Sequence, residues 1–201
     1  MASYRFMTEK TGEFVPHLNG IPACYLDFSR DGKWIAYVSY PEGTLWRSRI
    51  DGSERMQLTS LPLAVTNPSW SPDGKLILFT DVSNGDRRPR ALYDGVHRIY
   101  AISADGGAPV LLMAGPLDSP TWSPDGRFIA YVQNNAKDNA ELRIFDLQTQ
   151  ESTTIPGFQG LWSPRWSPDG NHLVALRAPF SKLATLLRRA RILNAWAMIP
   201  N

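Results

Sequence analysis

Cysteine is nearly absent from this chain: Cys24 is the single one in 201 residues. One thiol excludes an intrachain disulfide and gives no zinc constellation. Histidine is scarce as well, with His17, His97 and His172 scattered along the sequence, and no Gly-x-Ser-x-Gly elbow occurs. No nucleophile-histidine arrangement is therefore expected, and no catalytic, cofactor-binding or metal-ligating residue is assigned. No apolar run is long enough to span a bilayer, and Met1-Ala2-Ser3-Tyr4-Arg5 leads into polar sequence rather than into the apolar core of a secretory signal. A cytoplasmic location is the default expectation, with a periplasmic one if a signal belongs upstream. Charge of one sign is also missing: 21 basic residues face 19 acidic ones, a net +2. Five of the basic residues and none of the acidic ones fall in residues 177–201, so the body of the chain is mildly acidic. That balance excludes direct nucleic-acid binding by the body on charge grounds.

Turn formers are plentiful instead, with 16 prolines and 15 glycines. The peptide Trp-Ser-Pro-Asp-Gly occurs three times, closing at Trp70 to Gly74, Trp122 to Gly126 and Trp166 to Gly170, and a degenerate copy stands earlier as Phe28-Ser29-Arg30-Asp31-Gly32. The aspartates Asp31, Asp73, Asp125 and Asp169 lie 42, 52 and 44 residues apart, a period that belongs to arrays of four-stranded units. Pro presets φ for a turn, Asp bonds its own backbone, and Gly32, Gly74, Gly126 and Gly170 supply the positive φ of a tight reversal. Each copy therefore marks a hairpin at 29–32, 71–74, 123–126 or 167–170.

Short apolar runs flank these turns. Lys33 to Val38, Lys75 to Phe79, Arg127 to Val132 and Asn171 to Leu176 read as nearly buried strands after the turn. A third strand is expected around Trp46, Tyr100 and Phe145, followed by a second turn and a fourth short strand. Four antiparallel strands per period make one propeller blade, and blades must stack because neither face can be left in water. The expected fold is an all-β propeller of four-stranded antiparallel blades, forming an incomplete arc of about three full blades and two half blades. Residues 1–24 would close a preceding blade, 25–176 hold the repeats, and 177–201 form a basic tail, irregular or helical. The helical option comes from Leu183, Leu186, Leu187, Ala190, Leu193, Asn194 and Ala197 sharing one helical face.

The motif Trp-Ser-Pro-Asp-Gly-basic-apolar, followed by an Ile-Tyr strand and an Asp-Gly turn, resembles the WD-repeat-like propeller repeats of the TolB family over residues 25 to 176. The stretch Asp27 to Val38, with Pro41 to Ser48 after it, is similar to the propeller half of bacterial winged-helix transcription-regulator-like proteins. The resemblance implies a non-catalytic interaction or ligand-sensing module, as the sensory part of such a regulator. Two alternatives stay open: the propeller of a prolyl-oligopeptidase-like serine peptidase, which needs a hydrolase domain, and a TolB-like periplasmic interaction protein, which needs a signal peptide.

Residues with a binding role are few. The repeat serines and aspartates are expected to serve turn geometry. Trp70, Trp122 and Trp166 recur once per unit, which suits packing between blades. His172 takes the strand place of Trp34, Leu76 and Phe128 and is expected to pack. Candidate contacts for a protein or small-ligand partner at a propeller rim are Arg87, Arg88 and Arg90, in the loop that lengthens the second interval, and Trp162, in the loop entering the fourth repeat. Open blade edges make self-association a further expectation.

Overall fold

The computed structural model describes residues 5–7, 14–16, 22–83, 97–135, 139–177 and 196–199. Every regular element among them is a strand. β1 (Arg5–Met7) and β2 (Phe14–Pro16) form a two-stranded antiparallel sheet. Three four-stranded sheets follow in simple sequence order. The first holds β3 (Ala23–Phe28), β4 (Trp34–Ser39), β5 (Leu45–Arg49) and β6 (Met56–Gln57). The second holds β7 (Val65–Trp70), β8 (Leu76–Asp81), β9 (His97–Ser103) and β10 (Val110–Gly115). The third holds β11 (Leu117–Trp122), β12 (Phe128–Asn135), β13 (Asn139–Asp146) and β14 (Glu151–Thr154). A three-stranded sheet of β15 (Leu161–Trp166), β16 (Leu173–Arg177) and β17 (Trp196–Ile199) completes the order. This is the all-β architecture of four-stranded antiparallel propeller blades, and it is consistent with part of a propeller.

The repeat turns explain why the hairpins form where they do. In each copy the Gly N–H donates to the carbonyl of the Ser three residues earlier, at 2.9 Å in all four. The Ser hydroxyl donates to the Asp carboxylate, at 2.6 Å for Ser29 and Ser71 and 2.5 Å for Ser123, and Ser167 bonds Asp169 in the same way. That carboxylate accepts the N–H two residues on, from Lys33, Lys75, Arg127 or Asn171, at 3.0–3.1 Å. The same hydroxyl accepts the N–H that opens the next strand, from Trp34, Leu76, Phe128 or His172, at 2.8–3.0 Å. Arg30 stands where the other copies have Pro, and the geometry is unchanged, so Ser, Asp and Gly define the turn. The glycines have φ between 67° and 76°, a region that costs a side chain energy.

The chain divides into two compact units, Met1–Pro120 and Thr121–Asn201. In the first, Ala36, Val38, Leu45, Leu58, Val65, Trp70, Ile77, Phe79 and Ile102 form the largest buried cluster, joining the first two blades. Asp27 Oδ2 accepts the N–H of Trp70 at 2.7 Å, so a side chain of one blade satisfies the backbone of the next. In the second unit, Ala130, Val132, Leu142, Leu161, Leu173 and Ala175 form the core, with Trp162 and Trp166 packed against it. Trp70 is 6% exposed, whereas Trp122 and Trp166 are half-buried. His172 is half-buried, as its repeat position implies.

Two expectations need correction. Trp162 is not in a loop: Gly160, at φ 71°, finishes the turn, and the strand starts at buried Leu161, leaving Trp162 half-buried opposite Leu176. The helical reading of the tail fails for residues 196–199, which pair antiparallel with β16 from Leu173↔Ile199 to Leu176↔Trp196. The backbone groups along β16 need a partner, and that demand outweighs a helical spacing of leucines. The rest of the proposed helical face lies outside the described residues.

Candidate functional site

A feature of the first strand of each blade went unread in the sequence. Tyr25, Asn67, Ser119 and Ser163 all have φ between 48° and 54°, three residues before the aromatic that precedes the turn. In β3, β7 and β15 the pairing register slips at this point, so each carries a bulge. The sequence signal is Asn67-Pro68, Ser119-Pro120 and Ser163-Pro164, a second recurrent dipeptide upstream of Trp-Ser-Pro-Asp-Gly.

One of these left-handed positions, Ser119, stands directly after a charged residue. Asp118, immediately before Ser119, accepts the Asn67 Nδ2–H at 2.7 Å and the Ser119 N–H at 2.7 Å, both on Oδ1. Asp118 and Asn67 are half-buried, and the carboxyl is largely surrounded by protein atoms. Desolvation raises its pKa above the ordinary carboxylate value, against the opposing pull of the Ser119 N–H, the nearby His97 and the Asn67 amide. His97 opens β9 and is 1% exposed, and neither ring nitrogen has a hydrogen-bond partner among the described residues. A buried imidazole with both nitrogens unpaired is costly.

The other blades provide an internal control. Counting back two residues from Leu45, Ile99 and Leu142, which pair with Val38, Thr80 and Val132, the place of His97 is taken by Gly43 and Ala140. The place of Asp118 is taken by Cys24, Thr66 and Trp162. Neither an imidazole nor a carboxylate recurs at these two places in the other blades.

The other site residues behave differently. The aspartates of the repeat turns have pKa values lowered chiefly by the serine hydroxyl and by the N–H two residues on. They are saturated locally and point to no ligand. Arg87, Arg88 and Arg90 lie outside the described residues. Among the described residues no group of three or more His, Cys, Asp or Glu is placed to hold a metal ion.

Comparison with known proteins agrees with the repeat geometry. No protein-family model matches the chain. The chain is 33% identical over 157 residues to the Tol-Pal system protein TolB of Alcanivorax borkumensis, covering 73% of this chain and 32% of that protein. The repeat is TolB-like. An uncharacterized protein of Agrobacterium fabrum, Atu1656, is 35% identical over 116 residues, covering 53% of the chain and 38% of that protein. The uncharacterized peptidase YuxL of Bacillus subtilis is 26% identical over 157 residues, covering 62% of the chain and 24% of that protein. The chain therefore spans between about a quarter and two fifths of the length of these curated relatives. Among solved structures, TolB from Acinetobacter baumannii superposes with a TM-score of 0.63 at 21% identity, over 86% of this chain and 42% of that one. The β-propeller domain of the Trilobed protease from Pyrococcus furiosus gives 0.54 at 18% identity, over 89% of this chain and 53% of that one. At these identities the superpositions show the TolB-like propeller fold alone.

Proposed function

We propose that this TolB-like propeller chain is a non-catalytic interaction module that binds a protein or small-ligand partner. The observation that carries the reading is the pair Asn67 and Asp118, half-buried polar side chains that join β7 to β11 and that the same repeat positions of the other blades, Tyr25 with Thr66 and Ser119 with Trp162, do not reproduce. The TolB relatives favour the TolB-like interaction reading over the sensory half of a transcription regulator, for which no comparison speaks. They favour a periplasmic over a cytoplasmic location in the same way. Arg87, Arg88 and Arg90 remain candidate partner contacts from the sequence, whereas Trp162 packs against the core of its own unit.

The peptidase relative gives the alternative its specific support: a propeller that gates a hydrolase. Reading the gene on both sides separates the two, since a hydrolase domain with a nucleophile elbow or an upstream signal would each decide the matter. For the chain itself, purified protein is expected to show no hydrolysis of peptide, ester or phosphoester substrates. Turnover abolished by one point substitution would overturn the non-catalytic reading. A photo-crosslinking residue at position 67 is expected to capture one partner species, and one at exposed Val110 to capture none.

A further inference from the structure

The sequence holds seven Asp-Gly dipeptides, and six of them, opening at Asp31, Asp51, Asp73, Asp105, Asp125 and Asp169, lie among the described residues. An Asp-Gly bond is where a chain rearranges most easily, because glycine has no side chain to keep its nitrogen away from the neighbouring carboxyl. The six turns share one backbone. In each the Gly N–H donates to the carbonyl three residues earlier at 2.9–3.0 Å, and each Gly has φ between 67° and 90°.

Their carboxylates are not held alike. Asp31, Asp73, Asp125 and Asp169 each accept a serine O–H and the N–H two residues on. Asp51 does the same with Ser53 alone, whose N–H and O–H donate to Oδ1 at 2.9 and 2.6 Å. Asp105 has neither bond among the described residues. Gly107 stands where Asp51 has Ser53, and the Ser103 hydroxyl accepts the Asp105 N–H at 3.1 Å instead of donating to its carboxylate. That carboxylate meets Arg47 Nη2 at 3.3 Å, and its side chain is 93% exposed, against 51% for Asp31.

We propose that Asp105-Gly106 is a site of spontaneous isoaspartyl formation, from which the serine-held carboxylates protect the other five turns. The Gly106 nitrogen attacks Cγ of Asp105; a C–N bond forms, a C–O bond breaks, and the amide proton leaves with the carboxyl OH as water. Water that reopens the cyclic imide at the side-chain carbonyl restores aspartate. Water that enters at the main-chain carbonyl leaves the chain running through the side chain, longer by a CH2 group. The neutral carboxyl is the form that gives up its oxygen, and hydrogen bonds to the ionised form, led by the serine hydroxyl, hold the pKa of the five other carboxyls below the ordinary value. The Asp105 turn also abuts the first blade, through Arg47 and through Met56 Cε, which stands 2.9 Å from the place of a Gly106 Cβ. The added carbon therefore falls at a contact between blades.

The test is incubation of the full 201-residue chain at mildly acidic pH in water enriched in heavy oxygen, followed by peptide mass spectrometry. Each passage through the imide leaves a labelled oxygen whichever way the ring reopens. The rate at each site is divided by its rate in the urea-unfolded chain, which removes differences due to neighbouring residues. Lowering a carboxyl pKa by one unit cuts its neutral share about tenfold, so the five held sites are expected to be slowed by folding at least about fivefold more than Asp105. Ser53→Ala, at an exposed position, takes the O–H donor from Asp51 and is expected to raise labelling there while leaving Asp105 unchanged. Asp105 slowed by folding as much as the other five, or an Asp51 rate unmoved in Ser53→Ala, would each overturn the proposal.

Discussion

The Ser-Pro-Asp-Gly turns and the Asn67–Asp118 pair are both polar, and they differ in every other respect. At Asp31, Asp73, Asp125 and Asp169 the carboxylate lies near water and takes its bonds from groups within two residues. At Asp118 the carboxyl is largely surrounded by protein atoms, and its partner Asn67 is 51 residues away. The turns recur with distances that differ by a few tenths of an ångström, whereas the pair occurs once among the described residues. Repetition separates the two roles: a polar group that every blade keeps serves the backbone, and one that a single blade keeps has no such duty.

The strongest test of the structural side is Trp70→Ala. The ring is almost wholly buried in the cluster joining the first two blades, and truncation is expected to cost about 3–5 kcal/mol by chemical denaturation. Trp122→Ala, at a half-buried copy of the same position, should cost less. Equal losses would mean that the two sites pack alike.

Next in size is Ser71→Ala. The hydroxyl, buried with the residue at 4% exposure, both donates to Asp73 and accepts from the Leu76 N–H, so its loss leaves two polar groups short of a partner. A cost of about 1–2 kcal/mol in unfolding free energy is expected. A loss near zero would show that water replaces the hydroxyl at no cost.

The smallest expected effect sharpens the comparison by its sign. Hydrogen bonds from serine lower the pKa of the four turn aspartates, so their contribution is present above the unfolded carboxylate pKa and lost as pH falls through the folded value. Desolvation raises that of Asp118, so the folded state holds this proton more tightly, and its contribution falls as pH rises through the folded value. Asp118→Asn should therefore gain on the wild type as pH rises above the ordinary carboxylate pKa of about 4, while Asp73→Asn should gain on it as pH falls below that value. The measurement is unfolding free energy against pH. Parallel curves for Asp118→Asn and wild type would place that carboxyl in water.

The turns were legible because every group that builds them lies within six residues of sequence. Strand ends at Phe28, Trp70, Trp122 and Trp166 followed directly from them. Trp162 was misplaced because Gly157 and Gly160 suggest a longer loop, and nothing local says that buried Leu161 already pairs with Arg177. The pair was not legible at all. Asn67 and Asp118 meet only across two neighbouring sheets, 51 residues apart in sequence, and the register of β7 slips at the left-handed Asn67. The recurrent Asn-Pro and Ser-Pro dipeptides were the available hint, although a dipeptide does not say which neighbour of the bulge is charged.

The self-contained turn also bears on how such a chain arises. Because Ser, Asp and Gly close the reversal without help from any other blade, the motif works as a cassette: copied by tandem duplication, it arrives already able to set its own hairpin. Intervals between copies are then free to differ, as the 52 residues from Asp73 to Asp125 do from the 42 and 44 elsewhere, without disturbing the turns. In such a lineage novelty enters through the spacing, and heredity is kept in the corners.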